Sequence, residues 1–273
     1  MARRPAGSLA GAIALVAALA SGVAFARSHK QASASGWSDD FTEKSLNTKF
    51  WVVANGQAPG YIADEHIGYF LPSHVSLTQN GCSCLALTLT QQTGAVGTNA
   101  AGVISDGGEI YTRKTYGYGT YTWRMRMSST SATPTGAGDS VPGSVSAGFI
   151  YVNNSETEID WEFSGLSPGY IFAVNWLNPN PSQNPPPSAE TYTQLPLADV
   201  SGAFHTYSYV WQAGSITYFI DGQQVAVHTT DVPSAPAHFF LNHWGTDSPY
   251  WGGLATVGVT RYFYVDSASF KPM

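Results

Sequence analysis

Three carboxylates share one short stretch of the 273-residue chain with three large apolar side chains. Residues 158–163 read Glu-Ile-Asp-Trp-Glu-Phe, so Glu158, Asp160 and Glu162 occupy every second position. Successive side chains of a strand point to opposite faces, which predicts the carboxylates on one face and the apolar side chains on the core side. Residues 127–260 contain no Lys or Arg that could neutralise the acids. The pattern therefore favours a catalytic cleft that uses paired carboxyl groups.

The spacing of the two glutamates suits cleavage of a glycosidic bond. Residues i and i+4 of a strand lie about 13 Å apart at Cα, and carboxyls that lean toward each other come within roughly 5–6 Å. This is near the separation of the nucleophile and the acid in a retaining glycosidase. Close like charges push two pKa values apart, so one Glu is ionised and the other protonated. Asp160 lies between them and can share a proton or a hydrogen bond.

Other chemistries lack their motifs. The seven histidines are scattered without HExxH spacing, residues 143–148 do not form a GxSxG elbow, and no Walker or Rossmann glycine motif occurs. A solvated acidic edge and a cation site stay open as alternative interpretations of the acidic strand, although calcium usually takes its oxygens from a curved loop.

The elements around this segment are predicted to be strands. Residues 85–89, 119–127 and 216–220 alternate or are rich in β-formers, and Asp221-Gly222 indicates a hairpin turn. After the N-terminal stretch, apolar residues nowhere recur at helical spacing for three turns. We therefore expect two packed antiparallel sheets.

Two Pro- and Gly-rich stretches, residues 128–142 and 178–189, are predicted to be long loops. Loops of this length often line a binding face, and a variable surface insertion is an equally good interpretation.

Composition narrows the class of protein. Aromatic residues make up 13% of the chain and charged residues only 11%, which excludes an intrinsically disordered chain. The net charge of −6 without a basic cluster argues against nucleic acid as a partner.

The N-terminus has the pattern of a secretory signal. Arg3 and Arg4 precede an apolar stretch, and Ala24-Phe25-Ala26 is a small-x-small cleavage signal. We predict a signal peptide at 1–26, a leader at 27–36 and one catalytic domain at 37–273, secreted to the extracellular space or periplasm. A retained membrane anchor is the alternative; no later stretch is apolar for long enough to span a bilayer. We expect a monomer that is free of the membrane after cleavage.

Cys82 and Cys84 are the only cysteines. A disulfide between them would close a very small ring, which geometry disfavours without forbidding, and their spacing is not that of a zinc site. We expect two ordinary strand residues, with oxidation after export left open as an alternative, and no disulfide framework.

The segment 158–163 resembles the E-[ILV]-D-x-E-x signature of glycoside hydrolase family 16, which includes lichenases, laminarinases and xyloglucan endotransglycosylases. The resemblance continues in the expected order along nearly all of the chain after the signal. Its further motifs are 40–41 (Asp-Phe), 108–109 (Gly-Glu), 116–119 (Tyr-Gly-Tyr-Gly), 143–147 (Gly-Ser-Val-Ser-Ala), 204–207 (Phe-His-Thr-Tyr) and 221–222 (Asp-Gly). The family implies an all-β fold, a concanavalin-like β-jelly roll sandwich of two antiparallel sheets with a substrate cleft on the concave sheet.

The resemblance also implies roles for individual residues. Glu158 would be the nucleophile, Glu162 the acid/base and Asp160 the assisting carboxylate. Sugar-binding residues would be Glu109, Asn175, Trp176, Asn242, Trp244 and Trp251. Indole faces suit the apolar faces of sugar rings, whereas Trp123 and Trp211, in alternating strands, are predicted to pack in the core. Asp266 resembles a position where some members bind a structural calcium, with backbone oxygens completing the site; no other cofactor is expected.

The expected function is secreted, endo-acting hydrolysis of β-1,3- or mixed-linkage β-1,3-1,4-glucan with retention, so the partner is a polysaccharide. Tyr111 and Glu156 depart from the lichenase pattern, which leaves the linkage open. The alternatives are a transglycosylase with the same carboxylates and a non-catalytic, lectin-like module on the same fold.

Overall fold

The computed structural model describes residues 35–183 and 189–273, which fold almost wholly into β-strands. The strands are β1 (Trp37–Asp39), β2 (Trp51–Val53), β3 (Gly56–Gln57), β4 (His66–Phe70), β5 (Val75–Thr78), β6 (Cys84–Val96), β7 (Asn99–Tyr116), β8 (Gly119–Ser129), β9 (Ser144–Val152), β10 (Thr157–Ser164), β11 (Tyr170–Leu177), β12 (Ala189–Pro196), β13 (His205–Gln212), β14 (Ser215–Ile220), β15 (Gln223–His228), β16 (Ala237–Gly245) and β17 (Arg261–Pro272). Among the described residues the helical element is one 3-10 turn, Pro72–His74. The predicted all-β class is confirmed.

One sheet, which we call the site sheet, has the strand order β2–β7–β16–β9–β10–β11–β12, and every neighbouring pair in it is antiparallel. The acidic strand β10 lies between β9 and β11, and neither pairing shows a register shift. This regularity keeps every second side chain of β10 on the same face.

The second sheet, called the back sheet, has the order β5–β6–β17–β8–β13–β14–β15, with β1 also paired to β17. The last part of β6 pairs with the first part of β7, so these long strands join the two sheets at one edge. β4 lies against β7 and is parallel to it, an exception to the antiparallel pattern. The architecture is the jelly-roll sandwich that the sequence predicts.

Aromatic side chains fill the space between the sheets. Trp161 of β10 packs against Tyr207 of β13, with ring centroids 5.4 Å apart, and the rings of Trp123 and Phe239 stack at 4.7 Å. Trp123 and Trp211 are fully buried in this cluster, which confirms their predicted place in the core. Burial of such large apolar side chains is the main force that holds the sheets together.

Two turns illustrate how local sequence sets the chain path. Asp221 and Gly222 have φ of 50° and 77° and connect β14 to β15, as the Asp-Gly pair predicts for a two-residue hairpin. The turn between β9 and β10 contains Asn153, Asn154 and Ser155, all with positive φ, a conformation that Asn tolerates better than most residues.

Some predictions concern residues outside the ranges that the structure describes. The signal peptide 1–26, most of the leader 27–36 and residues 184–188 of the second predicted loop lie outside the described residues.

Cys82 and Cys84 are joined as a disulfide, the outcome that their short spacing disfavours. Residues 35–183 and 189–273 hold no helix with the length and apolarity needed to cross a membrane.

Candidate active site

Strand β10 presents its two faces to different environments. Ile159, Trp161 and the other inward side chains of β10 are fully buried in the core between the sheets. Glu158, Asp160 and Glu162 lie on the outer face of the site sheet, where β9 and β11 are the neighbouring strands on either side of β10. The predicted division of carboxylates and apolar side chains is confirmed.

The three carboxylates are unusually well covered for acidic side chains. Glu158 is 6% exposed and Asp160 is 4% exposed, whereas Glu162 is partly open to solvent. Burial raises the pKa of Glu158 to about 7 and the pKa of Glu162 to about 8, because a charge loses its hydration there. Burial, followed by the charges of its two neighbours, raises the pKa of Asp160 well above its usual range.

Hydrogen bonds distinguish the three acids. The Ser155 hydroxyl donates to Oε2 of Glu158, and the Trp251 indole N–H lies near Glu162 and lowers its pKa. Within the part of the chain that the structure describes, buried Oδ1 of Asp160 has no hydrogen-bond partner. A buried polar atom without a partner is uncommon, so Asp160 is available to bind a proton, water or a substrate hydroxyl.

A row of side chains crosses the site sheet beside Glu162. The register aligns Glu109 of β7, Asn242 of β16, Ala147 of β9 and Glu162 of β10. Asn242 Nδ2 donates to Glu109 Oε2 at 3.3 Å, and burial raises the pKa of Glu109 to about 8. Since Ala147 has only a methyl side chain, it leaves space on the sheet surface between Asn242 and Glu162. The structure thus brings the predicted residues Glu109 and Asn242 to the acidic face.

Aromatic rings flank the carboxylates on β11 and beyond. Trp176 is directly opposite Glu158 on β11 and is partly exposed. Trp251, in the loop after β16, lies edge-on to Phe172 with ring centroids 5.0 Å apart. Both predicted tryptophans therefore lie beside the acids, where they can contact a sugar.

A second group of rings extends across β9, β16 and β7. Phe240 stacks between Phe149 and Tyr111, at centroid distances of 5.0 and 4.9 Å. Phe149 is opposite Asp160 in the register, so this stack begins at the acidic strand. The sequence analysis did not single out Phe149 or Phe240, because their alignment depends on which strands pair.

The assignment of Asn175 to the sugar-binding face is corrected. Asn175 pairs with Ile159, so its side chain lies on the inner face, and it is 0% exposed. Its Nδ2 donates to the carbonyls of Thr230 and Asp231, at 3.1 and 2.8 Å, and its Oδ1 accepts from His228 Nδ1 at 2.6 Å. All of these bonds tie β11 to β15 and the chain that follows it. Asn175 is a structural residue.

The assignment of Trp244 as an open sugar platform is also corrected. Trp244 is on the outer face at the end of β16 but is 3% exposed. It packs in a small cluster with Ala58, Phe70 and Val145, and the backbone at Gly60 approaches its ring closely. The segment before β4 therefore covers the indole, which buries it.

Asp266, the predicted calcium ligand, lies beside a cationic side chain of the protein itself. Asp266 Oδ2 lies 3.3 Å from Arg124 Nη1, so its carboxylate already faces a cation. The other potential ligands gathered near it are Cys82 and Cys84, whose sulfurs are joined to each other. A hard cation such as calcium needs six to eight oxygens. Calcium at this position stays a prediction, and the Arg124 contact argues against it.

A fifth carboxylate, which the sequence analysis missed, lies on the same face. Glu190 of β12 pairs with Trp176, which pairs with Glu158, so the three share a row. Burial raises the pKa of Glu190 to about 7, and its charge raises the pKa of Glu158 and Glu162. Glu190 directly follows a predicted loop, and only the pairing of β11 with β12 reveals its position.

The arrangement can perform acid–base and nucleophilic chemistry together. The Ser155 hydrogen bond lowers the pKa of Glu158, and the charge of Glu158 raises the pKa of Glu162, so both contacts favour a protonated Glu162 beside an ionised Glu158. The two are four residues apart on an unshifted strand, with Asp160 between them. Such a pair can donate a proton to a leaving oxygen and attack the carbon that bears it.

Comparison with known proteins agrees with this chemistry. The family model for glycosyl hydrolases family 16 matches residues 66–258, more than half of the chain. The beta-glucanase of Bacillus amyloliquefaciens is 30% identical over 214 residues, 77% of each chain. The beta-glucanase of Bacillus subtilis is 29% identical over 212 residues, 76% of this chain and 75% of the relative.

Solved structures share the fold. The Bacillus licheniformis beta-glucanase has a TM-score of 0.68 at 23% identity, covering 89% of this chain and 100% of that one. The laminarinase catalytic domain of Thermotoga maritima has a TM-score of 0.65 at 19% identity, covering 87% and 97%. These two structural similarities show a shared fold, whereas the family model and the sequence relatives show membership of the family. The chain belongs to glycosyl hydrolases family 16 and is a glycoside hydrolase.

Proposed function

We propose that this protein is an endo-acting β-glucanase that cleaves β-1,3- or mixed-linkage β-1,3-1,4-glucan with retention of the anomeric configuration. The observation that carries the proposal is the set of three carboxylates on one face of β10, of which Glu158 and Asp160 are buried and Glu162 is partly open to solvent. Two of the sequence relatives are beta-glucanases, and they support the choice of a β-glucan.

In the first step, ionised Glu158 attacks the anomeric carbon while Glu162 gives its proton to the glycosidic oxygen, and the carbon–oxygen bond breaks. The product is a glycosyl ester of Glu158 and a free leaving chain. In the second step, Glu162 takes a proton from water, the water oxygen attacks the anomeric carbon, and Glu158 leaves as a carboxylate. Two inversions give net retention. Asp160 shares a proton or a hydrogen bond with the two glutamates as charge moves.

Side chains around the acids supply the contacts that a polysaccharide needs. Trp176 and Trp251 offer aromatic surface on one side of β10, and Glu109 and Asn242 offer polar atoms on the other. Oδ1 of Asn242 is buried without a partner within the described ranges, which suits an acceptor for a sugar hydroxyl.

The test is release of reducing ends from laminarin and from barley mixed-linkage glucan by the protein without its predicted signal peptide. Glu158→Gln should abolish release from both, and Glu156→Gln, which changes a carboxylate at the preceding turn, should not. Nuclear magnetic resonance of the first product should show the β-anomer. An α-anomer would overturn retention, and full activity of Glu158→Gln would remove Glu158 from the nucleophile role.

The same experiment distinguishes hydrolysis from transglycosylation. A transglycosylase passes the glycosyl unit to another sugar, so products longer than the supplied oligosaccharide would appear.

Secretion and a monomeric state belong to the proposal as well. N-terminal sequencing of the exported protein should begin at Arg27, and its mass in solution should be that of one chain.

A further inference from the structure

The turn that leads into β10 has a backbone that its residues do not favour. Asn153, Asn154 and Ser155 have φ of 48°, 55° and 61°, all in the left-handed region. Asn tolerates this region, but Ser has no such preference, and Gly would adopt it without strain. A serine that is held there needs an explanation from its side chain or its neighbours.

Neighbouring elements hold this turn in place. The Asn178 side chain donates to the carbonyl of Asn154 at 2.7 Å, and the Asn178 backbone N–H donates to the carbonyl of Ser155 at 2.8 Å. The Tyr151 hydroxyl lies near the backbone N–H groups of Asn154 and Ser155, which lower its pKa. The turn is thus fixed from the segment after β11.

The fixed backbone aims the Ser155 hydroxyl at the acidic face. Ser155 is buried, and its Oγ donates to Oε2 of Glu158. Oε1 of Glu158 accepts no side-chain hydrogen bond from the residues that the structure describes, so Oε1 is the oxygen left to react. A hydroxyl donor to an ionised carboxylate is among the stronger hydrogen bonds of a protein.

We propose that Ser155 is a positioning residue for the nucleophile: its hydroxyl holds Oε2 of Glu158 and so directs Oε1 toward the anomeric carbon. This inference rests on the proposed function, in which Glu158 attacks the sugar. The bond favours the ionised form of Glu158 both before attack and when the glycosyl ester breaks. The strained serine backbone is retained because glycine, although better suited to the turn, has no hydroxyl.

The surroundings of Glu158 make this bond important. The titratable groups that face Glu158 are Asp160 and Glu162 on its own strand, Tyr151 on β9 and Glu190 on β12. None of them carries a positive charge that could stabilise the carboxylate. Burial and Glu190 raise the pKa of Glu158, and the Ser155 bond lowers it. Loss of the hydroxyl should therefore raise the pKa of Glu158 further.

The test compares two glycine variants of adjacent turn residues. Ser155→Gly removes the hydroxyl and relieves the backbone; Asn154→Gly relieves the backbone equally and leaves the hydroxyl. We expect kcat/KM to fall about 10- to 100-fold in Ser155→Gly and to stay near wild type in Asn154→Gly. The acidic limb of the kcat/KM profile should move to higher pH in Ser155→Gly alone, and Ser155→Ala should reproduce both effects.

A purely structural role for Ser155 would give a different result. It would lower the melting temperature of Ser155→Gly and leave the acidic limb unmoved, and that outcome would overturn the inference. So would equal losses of kcat/KM in Ser155→Gly and Asn154→Gly.

A separate experiment tests the role of Glu158 itself. Glu158→Gly is incubated with an aryl β-glycoside of the preferred oligosaccharide and sodium azide. Azide nitrogen should form a bond to the anomeric carbon as the phenolate leaves, giving an α-glycosyl azide. If this product forms while Ser155→Gly behaves as wild type, the Ser155 inference falls and the function stands. If azide gives no product, the nucleophile role of Glu158 and the Ser155 inference both fall.

Discussion

Two regions of this molecule bury charge in opposite ways. Arg126 on the back sheet is fully enclosed, and its guanidinium donates to the carbonyls of Ser201 and Pro134 and to the Ser129 hydroxyl at 2.7–2.8 Å. On the site sheet, Asp160 is equally enclosed but carries a buried oxygen without a partner among the described residues. Protein hydrogen-bond acceptors replace water around the arginine charge, whereas the carboxylates have few hydrogen-bond donors around them.

The difference separates a structural charge from a reactive one. Burial lowers the pKa of Arg126, but its several hydrogen bonds stabilise the charged form and fix the elements around it. A buried acid with few donors has a raised pKa and is ready to exchange a proton. Burial of the site carboxylates destabilises the fold, and the same burial gives them the raised pKa values that their chemistry needs. Substitution of a site carboxylate should therefore lower activity, and substitution of the buried arginine should lower stability.

The largest expected effect is on activity, from Glu162→Gln. Loss of the proposed general acid should lower kcat/KM on polysaccharide by about 10²- to 10⁴-fold. An aryl glycoside whose leaving group needs no proton should lose much less in its first step, which appears as a burst of phenolate in rapid-mixing kinetics. Equal losses on both substrates would show that Glu162 does not protonate the leaving oxygen.

The next effect is on stability, from Arg126→Met. Removal of the guanidinium leaves two carbonyls and a hydroxyl without their donor, and we expect the free energy of unfolding to fall by about 3 kcal/mol or more. Urea unfolding would measure the fall, and the exposed residue Lys271, changed to Met, is the matched control. The kcat/KM of the folded variant should stay near wild type; a loss of activity without a loss of stability would contradict the structural role.

The alternation on β10 explains why the acidic face could be predicted from the sequence. A period of two depends only on local strand geometry, so residues 158–163 indicate both faces of β10 without knowledge of their neighbours. The Asp221-Gly222 hairpin is local in the same sense. The disulfide at Cys82 and Cys84, although local, does not follow from the spacing.

Non-local features were harder to predict. Asn175 and Trp176 are adjacent in sequence and thus on opposite faces of β11, so only one of them could reach the site; the register shows that it is Trp176. Trp244 lies on the correct face, but the segment near Gly60 covers it, and no local pattern indicates which loop packs where. Glu190 reaches the site only through the pairing of β12 with β11.

A smaller effect is the pH dependence of stability. The folded pKa of Glu162, about 8, is above its ordinary value of 4.5, so the folded state binds the proton more tightly than the unfolded state does. Its stabilising contribution is complete below pH 4.5 and is lost as the pH rises toward 8. Glu162→Gln cannot titrate, so its stability relative to wild type should rise between pH 4.5 and 8. Thermal unfolding at both pH values checks this, and a gap that narrows as the pH rises would reverse the sign.

The smallest effect concerns Glu190, which acts on the acids from two strands away. Its negative charge raises the pKa of Glu162, so Glu190→Gln should lower that pKa. The alkaline limb of the kcat/KM profile reports loss of the Glu162 proton, and it should move down by about half a pH unit. Because Glu190 itself has a pKa of about 7, the shift should be clear only above that pH. Glu43→Gln, which removes an exposed carboxylate in the loop between β1 and β2, should leave the limb unmoved. An unmoved limb in Glu190→Gln as well would mean that the acids of β10 alone set the high pKa of Glu162.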